Sequence, residues 1–127
     1  MSDPAFLMTD AQRQTDDWNP MWDRLAELDP DFLEAFLAFR TIPKKKGPLP
    51  TKYKELVMIA INVATTHLWG PGARRHMHNA LQAGATRDEI LEVMQLTTVM
   101  GIHSMALGLP ILDEVLQQHE AQAGSAP

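Results

Sequence analysis

Apolar residues recur along most of the chain at helical spacing, and no stretch alternates in the way a half-buried strand would. Residues 1–17 are polar and mixed. Asn19-Pro20 then reads as a helix start, with Asn as N-cap and proline at the first helical position. Met21, Trp22, Leu25 and Leu28 form the stripe behind it. Asp29-Pro30 repeats the signal ahead of Phe32, Leu33, Phe36, Leu37 and Phe39. Residues 41–50 hold three prolines, a glycine and three lysines and read as a loop, with Pro50 suited to the first turn of the next helix. That helix is expected to run to about Thr66. Its interior, residues 56–64, is apolar nearly all round, the pattern of a helix covered on several sides. Leu68-Trp69-Gly70-Pro71-Gly72 interrupts it. Pro71 restarts a helix that Gly84 closes as a left-handed C-cap. Thr86 with Glu89 three residues on is a capping box, opening a helix with Ile90, Leu91, Val93, Met94, Leu96, Val99 and Met100 apolar. Gly101 ends or bends it. Ser104 can cap a last helix reaching about His119, kinked by Pro110. The pattern predicts an all-α fold, a single-domain helical bundle of five to six helices over residues 18–120. Residues 1–17 are expected as a mobile arm and residues 121–127 as a frayed tail.

The 127-residue length suits one domain with a usable core. A net charge of -5 weighs against nucleic acid as a partner, because phosphate binding needs a basic face. The one basic cluster, Lys44 to Lys46, sits in the proline-rich loop and reads as solvated. There is no cysteine, which excludes disulfides, thiolate catalysis and a cysteine-ligated metal. Met1-Ser2-Asp3-Pro4 lacks the basic and apolar regions of a signal peptide, and the longest apolar run, Leu56 to Ile61, is too short for a bilayer. A cytoplasmic enzyme or binding protein is expected, without nucleic-acid or membrane partners.

Candidate chemistry concentrates in residues 52–84. Glu55 is the only acid there. It can serve as a proton-transfer carboxylate, or compensate the helix dipole or a neighbouring lysine. Helical arithmetic puts Met77, Ala80, Leu81 and Gly84 on the buried face of the following helix and His76 to one side of it, beside Ala73, Ala80 and Ala83. His76 is an acid/base candidate, since imidazole titrates near neutrality; the alternative is a boundary histidine bonded to a carbonyl. His78 lies on the opposite border and cannot easily share a metal with His76, because i and i+2 do not face each other. His67 follows Glu55 by twelve residues, ~18 Å along one helix axis, so the two can be partners only across chains. His103, after Gly101, is a second acid/base candidate. Arg74 can hold a substrate carboxylate, and Trp69 and Thr97 can line a pocket. No HExxH and no histidine pair at i, i+4 occurs, so a metal is left only as a cross-subunit His/Glu alternative.

The ordered set Leu49-Pro50-x-Lys-x-Lys-Glu55-Leu56, His76-x-x-x-Ala80-x-x-x-Gly84-Ala85-Thr86-x-x-Glu89-Ile90 and Met100-Gly101 resembles the carboxymuconolactone decarboxylase family. Asp29-Pro30-x-Phe32-x-x-Ala35-Phe36 resembles that family's leading helix. The resemblance implies an alkylhydroperoxidase-D-like fold and a homo-oligomer, a homotrimer or homohexamer. It also implies cofactor-free acid/base chemistry on a small anionic lactone or related acid, with Glu55, His76 and His103 catalytic and Arg74, His67, Trp69 and Thr97 binding substrate. A metal-dependent hydrolase or lyase and a non-catalytic ligand-binding protein are the alternatives. The family's redox branch carries Cys-x-x-Cys where this chain has Trp69 and Gly72, so a thiol peroxidase is disfavoured. The interval from Glu55 to His76 is about two residues longer than the family's usual one, which puts their pairing at issue.

Overall fold

The computed structural model describes residues 4–125. Seven α-helices and two short 3-10 turns account for the regular structure of the described residues, and none of them forms a strand. The helices are α1 (Leu7–Arg13), α2 (Met21–Leu28), α3 (Pro30–Lys45), α4 (Thr51–Val63), α5 (Gly70–Gln82), α6 (Arg87–Thr97) and α7 (His103–Ser125). The fold is all-α, with one helix more than the upper figure the sequence suggests. Where the hydrophobic pattern suggests one domain over residues 18–120, the contacts cluster into two compact units, one ending at Pro48 and the other beginning at Leu49.

In the first unit, Trp22, Leu33 and Leu37 form a small core, with Met8, Trp18 and Leu25 packed against it. Asp29 caps α3 by accepting the Phe32 N–H at 3.0 Å, and Asn19 does the same for the Met21 N–H at 3.0 Å. The additional helix is α1, which falls where a mobile arm is expected. Its first turn is held by Glu34 of α3, whose carboxylate accepts the N–H groups of Met8 and Thr9 and the Thr9 hydroxyl at 2.6–2.8 Å. A side chain more than twenty residues away thus supplies the N-terminal cap that seven residues could not supply themselves.

The second unit holds the larger core. Ile59, Val63, Ala73, Met77, Ala80, Ile90, Met94 and Val115 are its fully buried members, drawn from α4, α5, α6 and α7. The helix α4 stops at Val63, short of the expected Thr66. Its C-cap Ala64 turns extended, and the Asn62 carbonyl, which a longer helix would offer to the Thr66 N–H, accepts the Trp69 N–H at 2.8 Å instead; Thr65 donates its hydroxyl to the Gly101 carbonyl at 3.1 Å. At the end of α5, Ala85 N–H reaches the Ala80 carbonyl and Gly84 N–H that of Leu81, the paired bonds of a Schellman motif, with Gly84 at φ +92° as its left-handed residue. The capping box is present in both directions: Glu89 N–H donates to Thr86 Oγ1, and Thr86 N–H to Glu89 Oε2. The other Glu89 oxygen accepts from Lys52 at 2.9 Å, tying the start of α4 to the start of α6. The last helix runs on through Ser125, past the expected tail boundary, since Ala and Gln favour helix; residues 126 and 127 lie outside the described residues. No described helix is long and apolar enough to cross a membrane.

Burial opposes ionisation of Glu34, but the Met8 and Thr9 donors outweigh it and hold its carboxyl below the ordinary carboxylate value. A carboxyl depressed on folding contributes stability above its unfolded value, and that contribution disappears as pH falls through the depressed one. Glu34→Ala is therefore expected to cost ~1 kcal/mol at pH 7 by urea denaturation, the order of a lost helix cap. The gap from wild type should narrow as the pH is taken down through the acid range. An equal gap at both ends would show that the carboxylate is not what holds α1.

Candidate active site

Glu55 is the fifth residue of α4 and His76 the seventh of α5. A short turn folds these two helices back on each other, and their facing surfaces bring the two side chains together. His76 Nδ1 lies 2.5 Å from Glu55 Oε2, with the imidazole 2% and the carboxylate 15% exposed. Asn79, three residues on and so on the same face of α5, donates Nδ2 to that oxygen at a long 3.5 Å. With Glu55 ionised, Nδ1–H is the donor to Oε2. The close approach is made possible by Ala73 and Ala80, one turn either side of His76 and both fully buried. Helical arithmetic places His76 beside the core; the structure puts it inside, because α4 covers that flank of α5.

The turn between the helices does not separate the pair. Leu68 takes φ +45°, and Trp69 N–H donates to the Asn62 carbonyl at 2.8 Å, so the extra length is folded into a closed loop. Pro71 falls within the first turn of α5, where its missing N–H costs nothing.

The other predicted residues are placed differently. Arg74 forms an ion pair with Glu114 of α7 at the surface. His67 and Trp69 are exposed in the turn, and His103 is exposed as the first residue of α7. Thr97 lines a groove of about 540 Å³ with Tyr53, Val57, Ile61, Leu96 and Met100, but its hydroxyl donates to the Met94 carbonyl at 2.6 Å. Among the described residues, no three His, Asp or Glu side chains are gathered as metal ligands within the chain. Asn79 was not singled out by its sequence; its spacing of three from His76 is the signal that could have found it.

The pair can hold one proton between two groups, an imidazole 2% and a carboxylate 15% exposed. It has no nucleophilic sulfur. Against known families, residues 30–109 match the model of the carboxymuconolactone decarboxylase family. Among solved structures, the chain resembles a candidate carboxymuconolactone decarboxylase from Burkholderia xenovorans LB400, with a TM-score of 0.74 at 21% identity over 94% of this chain and 93% of that one. A candidate gamma-carboxymuconolactone decarboxylase subunit from the same organism is 36% identical, with a TM-score of 0.62. The alignment covers 94% of this chain and 49% of that one, so this chain spans about half of its length. No curated protein matches at a significant level.

Removing one partner of a buried hydrogen-bonded pair leaves the other unsatisfied. Glu55→Ala should destabilise the protein by ~1–3 kcal/mol, and Glu55→Gln by less, since its amide oxygen still accepts from Nδ1. Asn79→Ala, which loses a 3.5 Å contact, should stay within about 1 kcal/mol of wild type. Urea denaturation midpoints at one pH rank the three, and a different order would contradict this hydrogen-bonding scheme.

Proposed function

We propose that this chain, which belongs to the carboxymuconolactone decarboxylase family, is a decarboxylase acting on a small anionic lactone or related acid by acid/base chemistry without a thiol. The observation that carries this reading is the buried Glu55–His76 pair at 2.5 Å. The likeness to a candidate gamma-carboxymuconolactone decarboxylase subunit supports the substrate class.

Loss of CO2 breaks a carbon–carbon bond and leaves its electron pair on the substrate. A lactone with conjugated unsaturation holds that pair as a dienolate. The protein then has to stabilise the anion and return a proton to carbon. His76 does this in its protonated form: Nδ1–H is held by Glu55, and Nε2–H is the proton delivered. Glu55 orients the ring and stabilises the imidazolium; delivery of Nε2–H leaves the neutral imidazole, which regains a proton from solvent before the next turnover. Arg74 would have to leave Glu114 to take the substrate carboxylate, which makes it a weaker candidate than its position near the start of α5 suggests. His103 remains a second acid/base candidate at the start of α7.

Self-association, as a homotrimer or homohexamer, belongs to the same reading. Phe32 and Phe39 of α3 and Val57 and Ile61 of α4 are about half exposed or more, which is costly for side chains of this size if nothing covers them. Light scattering at micromolar concentration should give a mass several times that of the chain; a monomer would refute the assembly.

The purified protein is expected to release CO2 from 4-carboxymuconolactone. His76→Ala should lower kcat by at least ~100-fold while its helical circular dichroism persists. A folded His76→Ala protein of undiminished activity would remove His76 from the reaction.

A further inference from the structure

The apolar run of α4 is broken by one polar residue, Asn62, which is 5% exposed. It lies seven residues after Glu55, close to two full turns, and so shares its face of the helix. On α5, Gly72 lies four residues before His76, one turn away on the same face. The two helices run back on each other through the turn, so the interface has two rungs. One is Glu55 against His76. The other, nearer the turn, is Asn62 against Gly72.

The second rung is tight. A Cβ at Gly72 would lie 2.2 Å from Asn62 Oδ1 and 2.7 Å from Trp69 Cδ1. These are distances no side chain tolerates, so something must move for even a methyl group to fit. Trp69 is 45% exposed and has solvent to turn into. Asn62 has little freedom: its Nδ2 donates to the Met58 carbonyl at 2.8 Å, one turn back on its own helix. Its backbone carbonyl also accepts the Trp69 N–H at 2.8 Å, closing the loop that leads into α5. The Asn62 amide is therefore braced from behind and rests on the bare backbone of Gly72.

We infer that Asn62 and Gly72 are positioning residues, an interlock that sets the depth and spacing of α5 on α4 and so the separation of Glu55 and His76. The inference rests on the acid/base reading above and names how that site is kept in register. A hydrogen bond of 2.5 Å has almost no slack. A shift of α5 by the thickness of a methyl group at Gly72 breaks it one turn further on. Loss of the Asn62 amide has the same result by the opposite route, since it removes the stop against which the first turn of α5 rests.

The readout is the imidazole proton itself. In protein labelled with ¹⁵N-histidine, the His76 Nδ1–H held by a buried carboxylate gives a far-downfield proton resonance, assigned by its upfield move in Glu55→Gln. Asn62→Ala and Gly72→Ala are each expected to lose it, while helical circular dichroism and the resonances of His103 and His119 stay in place. In Asn62→Ala/Gly72→Ala the added methyl group occupies the volume the amide vacated, and the resonance is expected to return. If the protein turns over the lactone, the single variants should lose ~10–100-fold in kcat with KM within about twofold, the mark of misplacement rather than lost binding. A wild-type resonance in either folded single variant overturns the interlock. So does a double variant no closer to wild type than the singles. Should Gly72→Ala fail to fold, the double variant decides alone: refolding with the resonance supports the interlock, and failure overturns it. A wild type that shows the resonance but no turnover fails the functional reading and leaves the interlock to be judged on the variants.

Discussion

The second unit depends on the face-to-face contact of α4 and α5, and within it on one buried hydrogen bond between a carboxylate and an imidazole. A buried imidazole and a largely covered carboxylate are costly unless each satisfies the other. His76 has 2% of its side chain exposed, so its partner has to come from the protein, and Glu55 supplies it. The bond is worth having only if both helices hold still. Low local polarity makes a well-placed pair strong and a misplaced one a liability.

Much of the surrounding structure is punctuation that keeps those helices still. The Schellman motif at Gly84 ends α5, and the capping box at Thr86 starts α6 two residues later. Glu89 serves that box with one oxygen and Lys52 with the other, which anchors the first turn of α4, three residues before Glu55. The hydrogen bond to Lys52 and the Thr86 N–H hold the Glu89 carboxyl below the ordinary value, and the same bond raises Lys52. Both groups stay charged across the neutral range, but they lie at the surface, and salt screens them. The brace on α4 therefore rests as much on the local cap geometry as on the ion pair.

What was legible in the chain follows the same division. Caps and apolar stripes are local, and Asn19, Asp29, Thr86 and Gly84 each perform the task their neighbours imply. The helix α1 was not legible, because its cap comes from Glu34, which the chain brings back only after α3 has formed. The early stop of α4 likewise goes with the turn, in which the Trp69 N–H takes the Asn62 carbonyl. Within the site, the family resemblance brought Glu55 and His76 forward, but their contact depends on how the turn at residues 64–69 closes, and no local rule contains that. Arg74 looked available because its partner, Glu114, is forty residues downstream. Asn62 reads in the chain as a single polar residue in an apolar helix, because a buried amide in such a place has partners that only the folded chain names.

The composition of α4 carries one further constraint. Its interior is apolar nearly all round, yet a single chain buries only Leu56, Ile59, Asn62 and Val63. The face with Glu55 and Asn62 is taken up by α5. The face with Tyr53, Val57 and Ile61 is left bordering the groove that Leu96, Val99 and Met100 complete, and these side chains are 48–90% exposed. No described helix is long and apolar enough to cross a membrane. The helix thus turns its one carboxylate inward to His76 of the same chain and a row of large apolar side chains outward. The two faces can answer to different demands because they lie on opposite sides of one rigid helix.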